Sequence, residues 1–161
     1  QTIVLTSQGI PFLHAGEEFV RTKQLEENSF KSPDAINKIR WDNKAKYEDL
    51  FRYYKNLIEL RKTHPAFRLG SARAVRQHLQ FLNIQQENII GYLLNGAASG
   101  DHWKRILVLF NGQKTGKQVD IPKGNWKIIC HNYRIAPDGM GYNRTGYANL
   151  LPYSAYILAE E

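Results

Sequence analysis

The sequence predicts a mainly β chain: an antiparallel β-sandwich preceded by a single strand–loop–helix unit. Three observations predict it. Beyond Leu69, short apolar or alternating runs follow one another with turn signals between them and no long helix. Before that point, residues 45–64 carry a sustained three- and four-residue apolar spacing. At the front, Pro11–His14 is a short apolar run that ends at Gly16 in a long polar stretch. The predicted division is therefore residues 1–69, a strand, loop and helix, and residues 70–161, the sandwich.

In chain order, Gln1–Ser7 reads as the end of a helix, with Gly9 suited to the left-handed position that follows one. Pro11 can open a strand but not sit inside one, because it has no backbone donor. Phe12 and Leu13 are apolar enough for a strand covered on both faces. From Ala15 to Asn43 there is no period, only Asn, Ser, Pro and Asp turn-formers, and a connection this long is more often functional than idle. Tyr47, Leu50, Phe51, Tyr54, Leu57 and Ile58 then share one helical face, and Pro65 stops the helix at His64. Ser71–Gln77 forms at most a short helical turn. The expected strands are Leu79–Ile84, Asn88–Leu94, Arg105–Phe110, Lys117–Ile121, Trp126–Cys130 and Ala155–Ala159. Asn95-Gly96, Asn111-Gly112 and Lys123-Gly124 supply hairpin signals between them. No internal repeat or low-complexity tract is present.

Composition narrows the function classes. The 161 residues, 42% hydrophobic and 23% charged, describe a globular chain large enough for a real core. No apolar run approaches the roughly 20 residues of a spanning helix, so no membrane partner is expected. No signal peptide is visible, and a first residue of Gln1 is what a partial chain would show. Cys130 is the single cysteine, which excludes an internal disulfide and argues against a cysteine metal site. The net charge of +7 comes from scattered Lys and Arg without any long basic run, so no nucleic-acid partner is expected.

The polar loop concentrates the chemistry. Gly16 releases Glu17, Glu18, Arg21, Lys23 and Asn28 at the carboxyl end of the expected strand, the end that carries active sites in α/β barrels. Adjacent Glu17 and Glu18 cannot act as a catalytic pair from an extended segment, where neighbours point to opposite sides. They are expected to structure the loop, with Arg21 and Lys23 as partners, and Asn28 is expected to share that structuring role. His14 lacks a second histidine at metalloprotease spacing, and Gly16 opposes the helix that such a motif needs, so it is expected to pack. Trp41 is expected to pack at the entry to the helix. Tyr133, Tyr142 and Tyr147 lie in a Gly-rich part of the β segment, where they either form an exposed aromatic platform or cover a core edge. Asn143-Arg-Thr145 matches the glycosylation acceptor pattern, a weak signal.

The run from Gly9 to Glu18 also resembles the last barrel strand and following loop of the α-amylase superfamily, where a Gly-x-Pro-x-x-x-x-Gly-x-Glu pattern recurs. Its continuation through Arg21-Thr-Lys23, Asn28-Ser-Phe30, Ser32-Pro-Asp-Ala-Ile-Asn37 and Trp41 is similar to the type I pullulanases, the α-1,6-debranching branch. The resemblance implies the last strand, loop and helix of a (β/α)8 barrel followed by the β-sandwich called domain C. It also implies an α-glucan substrate, a retaining mechanism, and an N-terminal barrel belonging to the same polypeptide. The family's catalytic carboxylates lie on earlier barrel strands, so no catalytic residue is expected here. Asp34 and Asn37 fall where the family's loop approaches the cleft, and short carboxylate and amide groups can fix sugar hydroxyls there. Ser32-Pro33-Asp34 is equally a turn or helix-cap signal. No cofactor is expected; calcium would belong to the whole enzyme and has no support in these residues. The resemblance leans towards a secreted or periplasmic setting. Arg40 and Phe30 depart from the family, which has an acidic residue and Tyr at those positions. The alternative is a stand-alone carbohydrate-binding β module, which would have no use for a lone buried strand.

Overall fold

Nine strands make the frame: β1 (Leu79–Phe81), β2 (Ile89–Asn95), β3 (Arg105–Asn111), β4 (Lys117–Asp120), β5 (Trp126–His131), β6 (Arg134–Ile135), β7 (Tyr142–Asn143), β8 (Tyr147–Leu150) and β9 (Ser154–Glu160). The computed structural model describes residues 1–161. Seven strands form one antiparallel sheet in the order β1-β2-β3-β9-β5-β6, with β7 also on β5, while β4 and β8 pair as a second, two-stranded sheet. The helices are α1 (Thr2–Thr6), α2 (Asp34–Asn37), α3 (Asn43–Lys46), α4 (Glu48–Thr63) and α5 (Ala72–His78). The mainly β, antiparallel class is as the sequence predicts.

The large sheet is covered on both faces. Side chains alternate across a strand, and in β3 Ile106 and Val108 join Leu5, Leu57, Leu60 and Phe67 of the helical layer. Leu107 and Leu109 instead pack with Val119, Ala148 and Leu150 of the small sheet. β9 does the same, with Ile157 and Ala159 towards the helices and Tyr156 and Leu158 towards the small sheet. This is why Ile106–Leu109 reads as an unbroken apolar run. The expected division at residues 69/70 leaves α1–α4 on one side and α5 with all nine strands on the other, and the two segments share one core across it.

Several expectations change. Pro11–His14 forms no strand and is not buried: Ile10 is 99% and Phe12 81% exposed. A strand needs neighbours to take its backbone groups, and no other segment of the chain pairs with this one. The helix begins at Glu48 rather than Ala45, because Tyr47 (φ −116°, ψ 40°) breaks the path from α3. Its buried face is Leu57, Leu60 and Arg61 with Tyr53 packed beside them; Leu50 continues that face into the first turn but is only half-buried, whereas Phe51, Tyr54 and Ile58 lie on the neighbouring flank and remain partly or largely exposed. Arg61 is buried because it closes α1: its guanidinium donates to the carbonyls of Leu5 (3.0 Å), Ser7 (2.7 Å) and Gly9 (2.5 Å). The Leu5 carbonyl is one of the unpaired acceptors at the end of α1, Ser7 is its C-cap, and Gly9 belongs to the chain that leaves it.

Among the hairpin signals, only Asn95-Gly96 joins two paired strands, β2 and β3. Asn111-Gly112 and Lys123-Gly124 mark crossings between the two sheets. β6, β7 and β8 were not expected, and Leu79–Ile84 pairs only over its first three residues. The three tyrosines of the Gly-rich segment separate: Tyr142 pairs opposite Lys127 at one end of β5, Tyr133 lies in the turn after His131 at the other, and Tyr147 pairs opposite Asp120 in the small sheet.

Candidate functional site

The polar loop is held by backbone and side chain together. Gly16 (φ +94°) turns the chain into the 3-10 turn Glu17–Phe19, and a Cβ there would sit 2.9 Å from Arg21 Cβ. The Gly16 amide donates to Glu18 Oε2 at 3.0 Å, and the Arg21 and Phe19 amides donate back to the Gly16 carbonyl. Glu17 Oε2 accepts from the Gln1 side chain. Arg21 donates to the carbonyls of Ala15 (2.9 Å) and Asn37 (2.6 Å). Val20 follows in the left-handed region at φ +63°, a costly conformation for a β-branched residue.

Asn37 closes the loop. Its side-chain amide donates to the carbonyls of Ser29 (2.7 Å) and Ser32 (2.7 Å), while its Oδ1 accepts from Lys23 Nζ. Both amide hydrogens and the oxygen are therefore used within the loop. Asp34 stands exposed in the first turn of α2, which has no side-chain cap from Pro33. Asn28 is exposed just before the 3-10 turn Ser29–Lys31. Thus Arg21, Lys23 and Asn37 come together, Glu17 and Glu18 are held at the loop entrance, and Asp34 and Asn28 face outward. Trp41 pairs with buried Phe19 at 5.6 Å between ring centroids, yet is 66% exposed; the expected packing is one-sided. Arg40 bonds the Ala35 carbonyl and so belongs to the same loop.

Beside the loop, Leu13, His14, Glu18, Phe51, Tyr54 and Ile58 line a groove of about 410 Å³. His14 is a lining residue here, exposed rather than packed. The Tyr54 phenol titrates above its ordinary value because burial disfavours the phenolate, and the charges of Glu17 and Glu18 add to the effect.

A second polar centre was not legible in the sequence. His64 Nδ1 lies 2.9 Å from Asp101 Oδ1, and both side chains are buried. The Trp103 amide reaches the same oxygen at 3.0 Å, and the Ala66 amide reaches Oδ2 at 3.2 Å. An ionised carboxylate only accepts, so the His64 proton sits on Nδ1. Burial alone would raise the Asp101 pKa; the bonds from His64, Trp103 and Ala66 outweigh it and hold the pKa below the ordinary value. The His64 ring stacks on Trp103 at 3.4 Å. The ligand atoms of His64, Asp101 and His102 lie within 4.8 Å of one another, but both carboxylate oxygens are already occupied by donors. The cluster is a clamp between the end of α4 and the β2–β3 connection. The pair lies 37 residues apart in the chain, so no local spacing announces it.

Residues 75–134 match the family described as "Pullulanase, all-beta domain". A pullulanase from Bacillus subtilis (strain 168) is 40% identical over 129 residues, which cover 80% of this chain and 18% of that protein. The chain belongs to the pullulanase family. A pullulanase from Bacillus acidopullulyticus superposes on 99% of the chain with a TM-score of 0.93 and 36% identity, over 19% of that structure. A pullulanase from Anoxybacillus sp. LM18-11, complexed with maltotetraose, covers 99% of the chain with a TM-score of 0.88 and 35% identity, over 22% of that structure. The chain thus spans about a fifth of the length of the pullulanases it matches. The likeness to pullulanase structures reaches beyond the β segment to the polar loop and α4, because it covers nearly the whole chain.

Proposed function

We propose that this chain is the C-terminal part of a retaining glycoside hydrolase that cleaves α-1,6 branch linkages in α-glucans such as pullulan, starch or glycogen products. Residues 1–69 are the last strand position, loop and helix of its (β/α)8 barrel, and residues 70–161 are its sandwich domain. The observation that carries this reading is the near-complete superposition on a pullulanase at a TM-score of 0.93, over only 19% of that protein. The side chains left bare support it: Ile10, Phe12, Val20, Leu25 and Phe30 are exposed on the segment that a barrel would cover. Exposed large apolar side chains in that number on one segment call for a covering surface.

In this reading the chain supplies cleft wall and cap, and the two catalytic carboxylates of a retaining mechanism come from elsewhere in the polypeptide. Glu17 and Glu18 hold the loop entrance. Lys23 and Arg21 position Asn37, Asn37 fixes the loop that carries α2, and Asp34 meets the sugar hydroxyls. The chain alone is therefore inactive. Incubation of the purified chain with pullulan should release no reducing sugar above a protein-free control. In the whole enzyme, Asp34→Ala should raise KM on a branched maltooligosaccharide about two- to tenfold with kcat nearly unchanged, as loss of one hydrogen bond to substrate would. Unchanged kinetics in Asp34→Ala would remove the sugar contact, and hydrolysis by the chain alone would remove the division of labour.

A further inference from the structure

The β5–β6 hairpin has a two-residue connection, since His131 pairs with Arg134 and only Asn132 and Tyr133 lie between. Both central residues have positive φ, 51° and 56°, as in the mirror-image turns that close two-residue hairpins. Asn suits the first position. The second is where glycine is at home, because a side chain there is strained. Tyr133 occupies it with its side chain 59% exposed. A large aromatic at a position where the turn favours glycine is a strained outlier, and such outliers gather at binding sites.

The ring is aimed rather than loose. Tyr133 Oη donates to the Pro152 carbonyl at 2.8 Å, which ties this hairpin to the β8–β9 turn. The next residue in that turn, Tyr153, also has positive φ (44°) and is 68% exposed. Tyr133 forms part of the wall of an open groove of about 560 Å³, together with Asp49, Arg52, Asn56, Asn132 and Arg134. The arrangement is a flat apolar face beside carboxylate, amide and guanidinium groups. A pyranose ring presents the complementary surface: C–H groups on its faces and hydroxyls around its edge, which amides, carboxylates and guanidinium groups bind directionally.

We propose that Tyr133 and Tyr153, with the Asn132 and Arg134 flanks, form a carbohydrate-binding platform on the β domain that takes a short stretch of α-glucan. The platform lies on the β5–β6 and β8–β9 turns, whereas Asp34 belongs to the loop before α4. Its choice of an α-glucan rests on the debranching reading above; its existence as a sugar site rests on the two turns. It would hold a polymeric substrate while the cleft works on a branch.

The test is a titration of the chain with maltoheptaose, followed by backbone amide NMR shifts, with cellohexaose and an oligothymidylate as parallel probes. Maltoheptaose is expected to shift Asn132–Arg134 and Tyr153. Tyr133→Gly relieves the turn and should fold, yet it should bind about tenfold more weakly, the scale of one lost aromatic contact. Tyr133→Phe keeps the ring but loses its tie to the Pro152 carbonyl, and should bind with an affinity between those of wild type and Tyr133→Gly. Undiminished binding in Tyr133→Gly, absence of shifts at these turns with millimolar maltoheptaose, or a response to cellohexaose or oligothymidylate in place of maltoheptaose would each overturn the proposal. Shifts at Asp34–Asn37 report on the cleft loop separately, so failure of either sugar site is told from failure of the other.

Discussion

Asp101 stays ionised in the interior because three donors converge on two oxygens, and removing it leaves His64 and two backbone amides without an acceptor. Asp101→Ala should therefore cost about 3 kcal/mol in urea unfolding at neutral pH. The pH dependence has a definite sign. The folded pKa lies below the unfolded value of about 3.9, so the carboxylate stabilises the fold fully above that value. The stabilisation is lost as pH falls through the folded pKa. The difference between wild type and Asp101→Ala should be flat from about pH 7 to 5 and shrink below about pH 4; a difference that grew on acidification would contradict the assignment. Gly96 makes a simpler residue-scale case. A Cβ at that position would lie 2.1 Å from the Trp103 carbonyl oxygen, which belongs to backbone and cannot swing aside. Gly96→Ala should destabilise by about 1–3 kcal/mol or more, read in the same urea titration.

At the scale of elements, α4 separates what the sequence contains from what folding decides. Its existence is legible from apolar spacing and its end from Pro65. Which side of the apolar stripe turns inward is not, because two flanks are rich in large side chains and only contact with the sheet chooses between them. Leu57→Ala should cost about 2–5 kcal/mol, and Ile58→Ala, one position on, within about 0.5 kcal/mol; thermal and urea unfolding of the two variants decide the ordering. The long strands β2, β3, β5 and β9 are legible for a different reason: each offers apolar residues to both cores and so reads as an apolar run. β6, β7 and β8 span two to four residues each, too few for a period to emerge. Pro11–His14 has strand composition, but a strand is a property of its partners and no element of this chain offers it an edge. The polar loop was recognisable as a candidate site from its residue types. The clasp of Asn37 by Lys23 and the meeting of His64 with Asp101 were not, since both depend on how distant turns come to rest.

Across the whole molecule, protection should follow layers. Ile106–Phe110, in the middle of the sheet and covered on both faces, should exchange amide hydrogens slowest. Phe12–Ala15, without a partner strand, should exchange fastest; equal protection of the two segments in a dilute monomer would mean that the front segment has found a cover. The position of β9 has a further consequence, one of timing. Residues 154–160 lie between β3 and β5 and join the two halves of the sheet. Synthesis runs from the N-terminal side, so β1–β3 and β5–β7 leave the ribosome before β9, with nothing to join them. Each half exposes an unpaired edge and an apolar face, the state most open to misassociation. Only with the arrival of β9 can the sheet close. The nascent sheet should therefore stay protease-sensitive and chaperone-bound until β9 is free, then close in a single late step. Ribosome-bound chains of increasing length should reveal that step as an abrupt gain of protease resistance once residue 160 clears the tunnel.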